Sequence, residues 1–240
     1  MPNESRPTGT DRTPDSAHYQ DTLEFHARAA KERDGYYDWK PGCHGALHHS
    51  RWQLRTRELV IRGIREINRA AQIESVLDVG CGRGDFSNVL GSNFEHARIL
   101  GADFSPDMIE IARRNALSNV EFDVASLPEL DLGDRKVDVT VCLNVLHHIL
   151  EQDQPRALSN MCARTRKGIV VEMKNSRCPY KRLKRGLRLS DGTRVYPTTA
   201  SRVIETMKAS GFELKSKRPI FILDILSPIV VLSFRAGRRN

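Results

Sequence analysis

The chain has 240 residues, 39 % hydrophobic and 28 % charged, which excludes a fibrous or wholly disordered protein and suits one large domain with additions. Lys and Arg number 38 against 30 Asp and Glu, a formal net charge of +8; that excess favours an anionic partner, whether nucleic acid, acidic metabolite or anionic lipid surface, without choosing among them. No apolar run reaches about 18 residues, which argues against a transmembrane helix.

Residues 1–20 are rich in Pro, Ser, Thr, Asn and Asp and lack the apolar core of a secretory signal, so they read as a disordered tail. Residues 21–72 read as an N-terminal helical segment. Within it a first helical pattern gives way to Tyr36, Tyr37 and Trp39 and a turn at Pro41-Gly42. A longer helix then runs over 48–71, with Trp52, Leu59, Ile64 and Ile67 on its apolar face. From 73 to 240 the texture is that of a core. Short apolar strands are expected at 75–79, 98–103, 119–123, 137–143 and 168–173, and helices at 84–92, 106–116 and 151–165. Ser105-Pro106-Asp107 is a good helix start. Such alternation argues for an α/β fold whose parallel sheet is covered on both faces. A basic insert occupies 175–196. Thr198-Thr199 then caps a helix running to Ser210, Gly211 stops it, and strands follow at 212–217 and 229–234.

Five cysteines, Cys43, Cys81, Cys142, Cys162 and Cys178, form no C-x-x-C pair. A disulfide framework or zinc ribbon is not expected; a reducing compartment, the cytoplasm, is. His44, His48 and His49 have a spacing that could hold a metal, but no carboxylate or cysteine pattern supports one, and no metal site is expected.

The most informative segment is Asp78-Val79-Gly80-Cys81-Gly82-Arg83-Gly84, a D-x-G-x-G-x-G run between a strand and a helix. Glycines let the backbone turn sharply and let a ligand lie against it, and the N–H groups that open the next helix favour an anionic ligand group. The dinucleotide fingerprint would need a third small residue at Asp85, where an acid stands. The segment resembles instead the class I S-adenosylmethionine-dependent methyltransferases.

Several positions carry the resemblance further. Asp103 ends the second strand, where the family has an acid that holds both ribose hydroxyls of the cofactor. Phe104 and Met108 match positions that line the adenine. Asp123, with Val124 beside it, matches the acid near the adenine amino group, and Asn144 lies in the segment that passes under the methionine part. Asp78, Gly80, Cys81 and Gly82 match the loop that carries the cofactor, with Asp78 ordering it and Cys81 a small contact position and not a nucleophile. The resemblance implies a Rossmann-like, doubly wound, seven-stranded sheet, mostly parallel with an antiparallel last strand. It also implies S-adenosyl-L-methionine as cofactor and a lid made by the segment before the first strand.

The chemistry of this class needs in-line alignment and exclusion of water, with a base only where the acceptor carries a proton. His147 and His148, just past the fourth strand, are the candidate bases. Leu143-Asn144-Val145-Leu146 departs from the N-P-P-Y pattern of adenine and glutamine methylation, and no Pro-Cys nucleophile stands there. A small organic or lipid-like metabolite is therefore the expected acceptor. The insert concentrates basic residues, Lys174, Arg177, Lys181, Arg182, Lys184 and Arg185 among them, against one acid, Asp191. It suits a phosphate, a carboxylate, RNA or an anionic membrane surface. Only Tyr180 and Tyr196 are near to stack on bases, which weighs against nucleic acid. The apolar run over 219–232 either completes the sheet or, with the insert, rests on a membrane. Two other readings stay open: an RNA methyltransferase, and a protein that binds the cofactor without catalysis.

Overall fold

The computed structural model describes residues 46–175, 178–179, 196, 198–221 and 226–237, with side chains from 51 onward. The tail at 1–20, the first part of the expected lid with Tyr36, Tyr37, Trp39 and His44, the side chains of His48 and His49, and most of the basic insert at 175–196 lie outside the described residues.

Helix α1 spans Ala46–Ala70. Leu59, Val60, Ile64 and Ile67 recur at helical spacing and are 3 % exposed or less, so one stripe is dry while the arginines between them stay wet. Truncating Ile64 to Ala would cost about 2–5 kcal/mol. Then strand and helix alternate: β1 Ser75–Val79, α2 Asp85–Asn93, β2 Arg98–Asp103, α3 Pro106–Arg114, β3 Val120–Val124, β4 Val137–Cys142, α4 Gln154–Ala163, β5 Thr165–Lys174, α5 Ala200–Ala209, β6 Phe212–Pro219 and β7 Ile229–Ala236. The strands form one seven-stranded sheet in the order β3-β2-β1-β4-β5-β7-β6. Strands β1 to β5 pair in parallel, and β7 runs antiparallel to both β5 and β6. The α/β class, the doubly wound sheet and the antiparallel last strand are as the sequence implies.

Parallel pairing puts partnered residues on one face. Val76, Val139, Val141, Val170 and Val231 share the face covered by α1, whereas Leu77, Val79, Val171 and Leu232 share the opposite face with α4 and α5. Helix starts follow side-chain chemistry. Ser105 Oγ accepts from Met108 N–H at α3, with Pro106 in the first turn, and Thr199 accepts from Arg202 N–H at α5.

Several boundaries differ from expectation by a residue or more, and three of them are instructive. Strand β5 begins at Thr165 rather than 168, because Thr165 pairs with Val137 while Arg166 and Lys167 reach the buried Asp138 at 3.0 and 3.1 Å; the apolar run marks only its buried middle. Helix α4 begins at Gln154 rather than 151, because the buried Gln154 side chain donates to the carbonyls of Leu146 and Ile149 and accepts from Thr198 Oγ1. Strand β6 runs on to Pro219 as a charged edge strand, the usual protection of a sheet edge.

Candidate functional site

The site is built at the carboxyl ends of the central strands, where an open α/β sheet holds its ligands. Strand β1 runs out into Gly80 (φ 72°), Gly82 (φ 55°) and Gly84 (φ 82°), left-handed values that side-chain-bearing residues adopt at a penalty. The two N–H groups of Gly80 and Cys81 both donate to the Ala102 carbonyl, at 2.7 and 3.1 Å, tying the loop to the end of β2. A Cβ at Gly80 would stand 2.1 Å from Val145 Cγ2, whereas one at Gly82 would meet nothing within 4 Å. The loop is therefore sealed on its β4 side and open over Gly82.

Asp103 is 7 % exposed. Its Oδ2 accepts from Gly82 N–H and its Oδ1 from Ser105 N–H, both at 2.9 Å. Burial pushes its pKa up, opposed by backbone donors of Ser105, Gly82 and Phe104. One lone pair on each oxygen is spent on the loop, and a carboxylate has others to offer. Asp78 is buried at the end of β1 and accepts from Ser87 Oγ at 2.7 Å. Burial lifts it to about 7; the Ser87 bond opposes this, the Asp103 charge adds to it, and the Arg57 charge opposes it. The Arg57 guanidinium lies 5.8 Å from the Phe86 ring centroid. Burial and the two acids push the Cys81 thiol far up, which makes it a poor nucleophile.

Asp123 sits beside Ala102, and Val124 beside Asp103, in the β2–β3 register. Arg135 pairs with the Asp123 carboxylate, and that bond holds its pKa below the ordinary value. Val124 is 43 % exposed and Met108 1 %. Phe104 is half-buried.

Past β4 the chain turns sharply at Asn144 (φ 62°). Its N–H donates to Glu172 Oε2 at 2.7 Å and its Oδ1 accepts from Lys174 Nζ at 2.7 Å, so its polar contacts are on β5. A short 3-10 turn, Leu146–His148, follows. His147 is 6 % exposed, its carbonyl accepts from Tyr196 N–H at 2.9 Å, and its ring centroid lies 4.1 Å from that of His148. Burial raises the Cys142 thiol to about 12, with the Glu172 charge and, further down, the Asp78 charge adding to it. Both acids are thus felt at the end of β4.

The fold accordingly gathers Asp78, Gly80, Cys81, Gly82 and Asp103 around one loop, sets Asp123 and Val124 on the adjoining strand end, and places His147 and His148 past β4. Sequence reasoning missed Ser87, Arg57, Arg135 and Glu172, and read Lys174 only as one of the insert's basic residues. Only Glu172 had a local signal, an acid interrupting the apolar run Ile169-Val170-Val171-Glu172-Met173.

Residues 76–168 match the family described as a methyltransferase domain. This stretch of the chain is similar to a methyltransferase domain. The ubiquinone biosynthesis O-methyltransferase of Erwinia tasmaniensis is 33 % identical over 95 residues, 38 % of this chain and 37 % of that protein. Its counterpart from Bordetella avium is 28 % identical over 143 residues, 58 % of this chain and 53 % of that one. The chain thus spans about a third to a half of these relatives. Among solved structures, a magnesium protoporphyrin IX methyltransferase from Synechocystis with bound S-adenosylhomocysteine superposes with a TM-score of 0.67 at 19 % identity, covering 92 % of this chain and 97 % of that one. The 1,6-didemethyltoxoflavin-N1-methyltransferase of Burkholderia thailandensis gives 0.60 at 17 % identity, over 96 % and 94 %. The methyltransferase domain covers β1 to the start of β5, and the structural likeness extends over nearly the whole chain. No helix among the described residues is long and apolar enough to cross a membrane.

Proposed function

We propose that the protein binds S-adenosylmethionine over the Gly80–Gly84 loop and methylates a small organic or lipid-like metabolite. The observation that carries this reading is the pairing of an open Gly82 with the Asp103 carboxylate, held by the Gly82 and Ser105 amides at 2.9 Å. A ligand can lie on the loop only where no Cβ stands, and a carboxylate at its rim suits a vicinal diol. The residues present fit the cofactor. Asp103 would take the ribose hydroxyls; Phe104, Met108, Asp123 and Val124 would border the adenine; Asp78, Gly80, Cys81 and Asn144 would flank the methionine part. When bound, the cofactor supplies an activated methyl group on a sulfonium sulfur.

This chain's own residues orient and enclose. Asp78 places negative charge next to a cationic ligand, Val145 closes the loop toward β4, and His147 and His148 border the acceptor space past β4. The lipid-like end of the acceptor range is supported by exposed apolar side chains. The Trp52 ring meets Phe221 edge-on with centroids 5.5 Å apart, and Leu54, Phe221 and Leu226 are 59, 40 and 50 % exposed. The relatives named for ubiquinone biosynthesis are consistent with a small acceptor.

Calorimetry with S-adenosylmethionine tests the cofactor: wild type should bind and Asp103→Ala should lose at least about tenfold in affinity, about 1.4 kcal/mol. Equal binding by both would overturn the site. Methyl-labelled cofactor added to a fractionated cell extract should place label in the metabolite or lipid fraction; label in RNA would favour the RNA methyltransferase reading instead.

A further inference from the structure

Glu172 is 1 % exposed on β5, in an otherwise apolar stretch of strand. Its Oε2 accepts from Asn144 N–H at 2.7 Å, but its Oε1 is buried without a hydrogen bond. Lys174 Nζ stands 3.5 Å from Oε1 as an ion-pair partner, and its hydrogen bond, at 2.7 Å, goes to Asn144 Oδ1. A buried carboxylate with one oxygen lacking a hydrogen bond is costly even beside a cation, and a fold seeking stability alone does better with an apolar residue there.

The position explains the expense. Asp78 pairs with Val141 and Val141 with Val170. Glu172, two residues beyond Val170, therefore shares Asp78's face of the sheet, the face under α1. It lies two strands from β1, about 10 Å across the sheet. Asn144 folds back on it directly where the chain leaves β4. The oxygen without a hydrogen bond thus stands at the carboxyl ends of β4 and β5, two strands from the one that carries the loop assigned to the cofactor.

We propose that Glu172 is a catalytic residue whose Oε1 binds the O–H or N–H of the methyl acceptor and takes its proton; this rests on the function proposed above. The acceptor's lone pair forms the bond to the methyl carbon, the carbon–sulfur bond breaks with its pair kept by sulfur, and the O–H or N–H bond breaks to Oε1. Sulfonium and carboxylate are discharged together, leaving a thioether and a neutral acid. The acceptor class is then a phenol, alcohol or amine, and not a carbon or thiol nucleophile.

The test compares wild type, Glu172→Gln and Glu172→Ala. Glu172→Gln keeps an oxygen for Asn144 N–H, so calorimetry with S-adenosylhomocysteine should give a Kd within about twofold of wild type, which shows the variant folded. With methyl-labelled S-adenosylmethionine and the extract fraction that wild type labels, its turnover should fall by at least about 100-fold. Sodium formate should partly restore Glu172→Ala, which a merely structural acid would not allow. Mass spectrometry of the product should show an O-methyl or N-methyl linkage. Turnover by Glu172→Gln close to wild type, no recovery with formate, a C-methyl or S-methyl product, or no labelled product from a wild type that binds S-adenosylhomocysteine would each overturn the assignment. Failure of wild type to bind S-adenosylhomocysteine would overturn the underlying function as well.

Discussion

Asp78, assigned above to the cofactor, is a residue whose placement costs the fold stability. Its ordinary value is 3.8 and burial lifts it to about 7. The folded chain therefore keeps a proton that the unfolded chain gives up between those values. The stability tied to that proton is complete below about pH 4 and is lost as pH rises through about 7. Asp78→Asn keeps an acceptor for Ser87 Oγ and removes the charge. Without ligand it should exceed wild type in stability at pH 8 by about 2–4 kcal/mol, with the gap closing toward pH 4. Urea denaturation at pH 4, 6 and 8 measures it; a gap that ignores pH would mean that Asp78 titrates normally. At this scale the sequence was most legible where spacing itself carries chemistry. Asp78, Gly80, Gly82 and Asp103 are separated by intervals that a turn, a helix and a second strand impose. Arg135 reaches Asp123 from a loop with no periodicity, and Asn144 meets Glu172 across two strands. No local pattern encodes either contact.

At the scale of elements, the β1–α2 loop separates structural from functional glycine. Gly80 and Gly82 both have positive φ, but a Cβ at Gly80 runs into Val145 and one at Gly82 projects into open space. Gly82→Ala should therefore cost only the left-handed backbone penalty, about 1–2 kcal/mol, while its methyl would occupy the place assigned to the ligand. Affinity for S-adenosylhomocysteine should fall by more than about tenfold, about 1.4 kcal/mol. Gly80→Ala should lose more stability than Gly82→Ala, because Val145 and the turn after β4 must move. Denaturant midpoints and calorimetry on the two variants read this out; equal losses of stability would refute the distinction. The elements themselves were legible wherever burial and periodicity coincide, as in β1 and β2, whose observed bounds match expectation. They were less legible where polar residues continue a strand for tertiary reasons. Thr165, Arg166 and Lys167 extend β5 through partners on β4 and α4, which hydropathy does not register.

Across the whole molecule, the sheet divides the proposed work. Strands β1 to β3 carry the loop and acids assigned to the cofactor, β4 and β5 carry Asn144, Glu172 and Lys174, and α1 covers the face on which Asp78 and Glu172 lie. The net charge of +8 is no guide to this arrangement, since the site on the described residues is lined by buried acids. A ligand seated over β1 contacts the centre of the sheet and should stabilise the domain as one unit. Present at a hundred times its Kd, S-adenosylhomocysteine should add about 2.7 kcal/mol, or about 5–10 °C in Tm for a domain of this size. Asp103→Ala should lose most of that shift, whereas Glu172→Gln should keep it, because Glu172 is assigned to the acceptor half. Thermal unfolding followed by circular dichroism, with and without ligand, compares all three. A shift lost equally in both variants would mean that the two halves are one site and that the division between cofactor and acceptor strands is wrong.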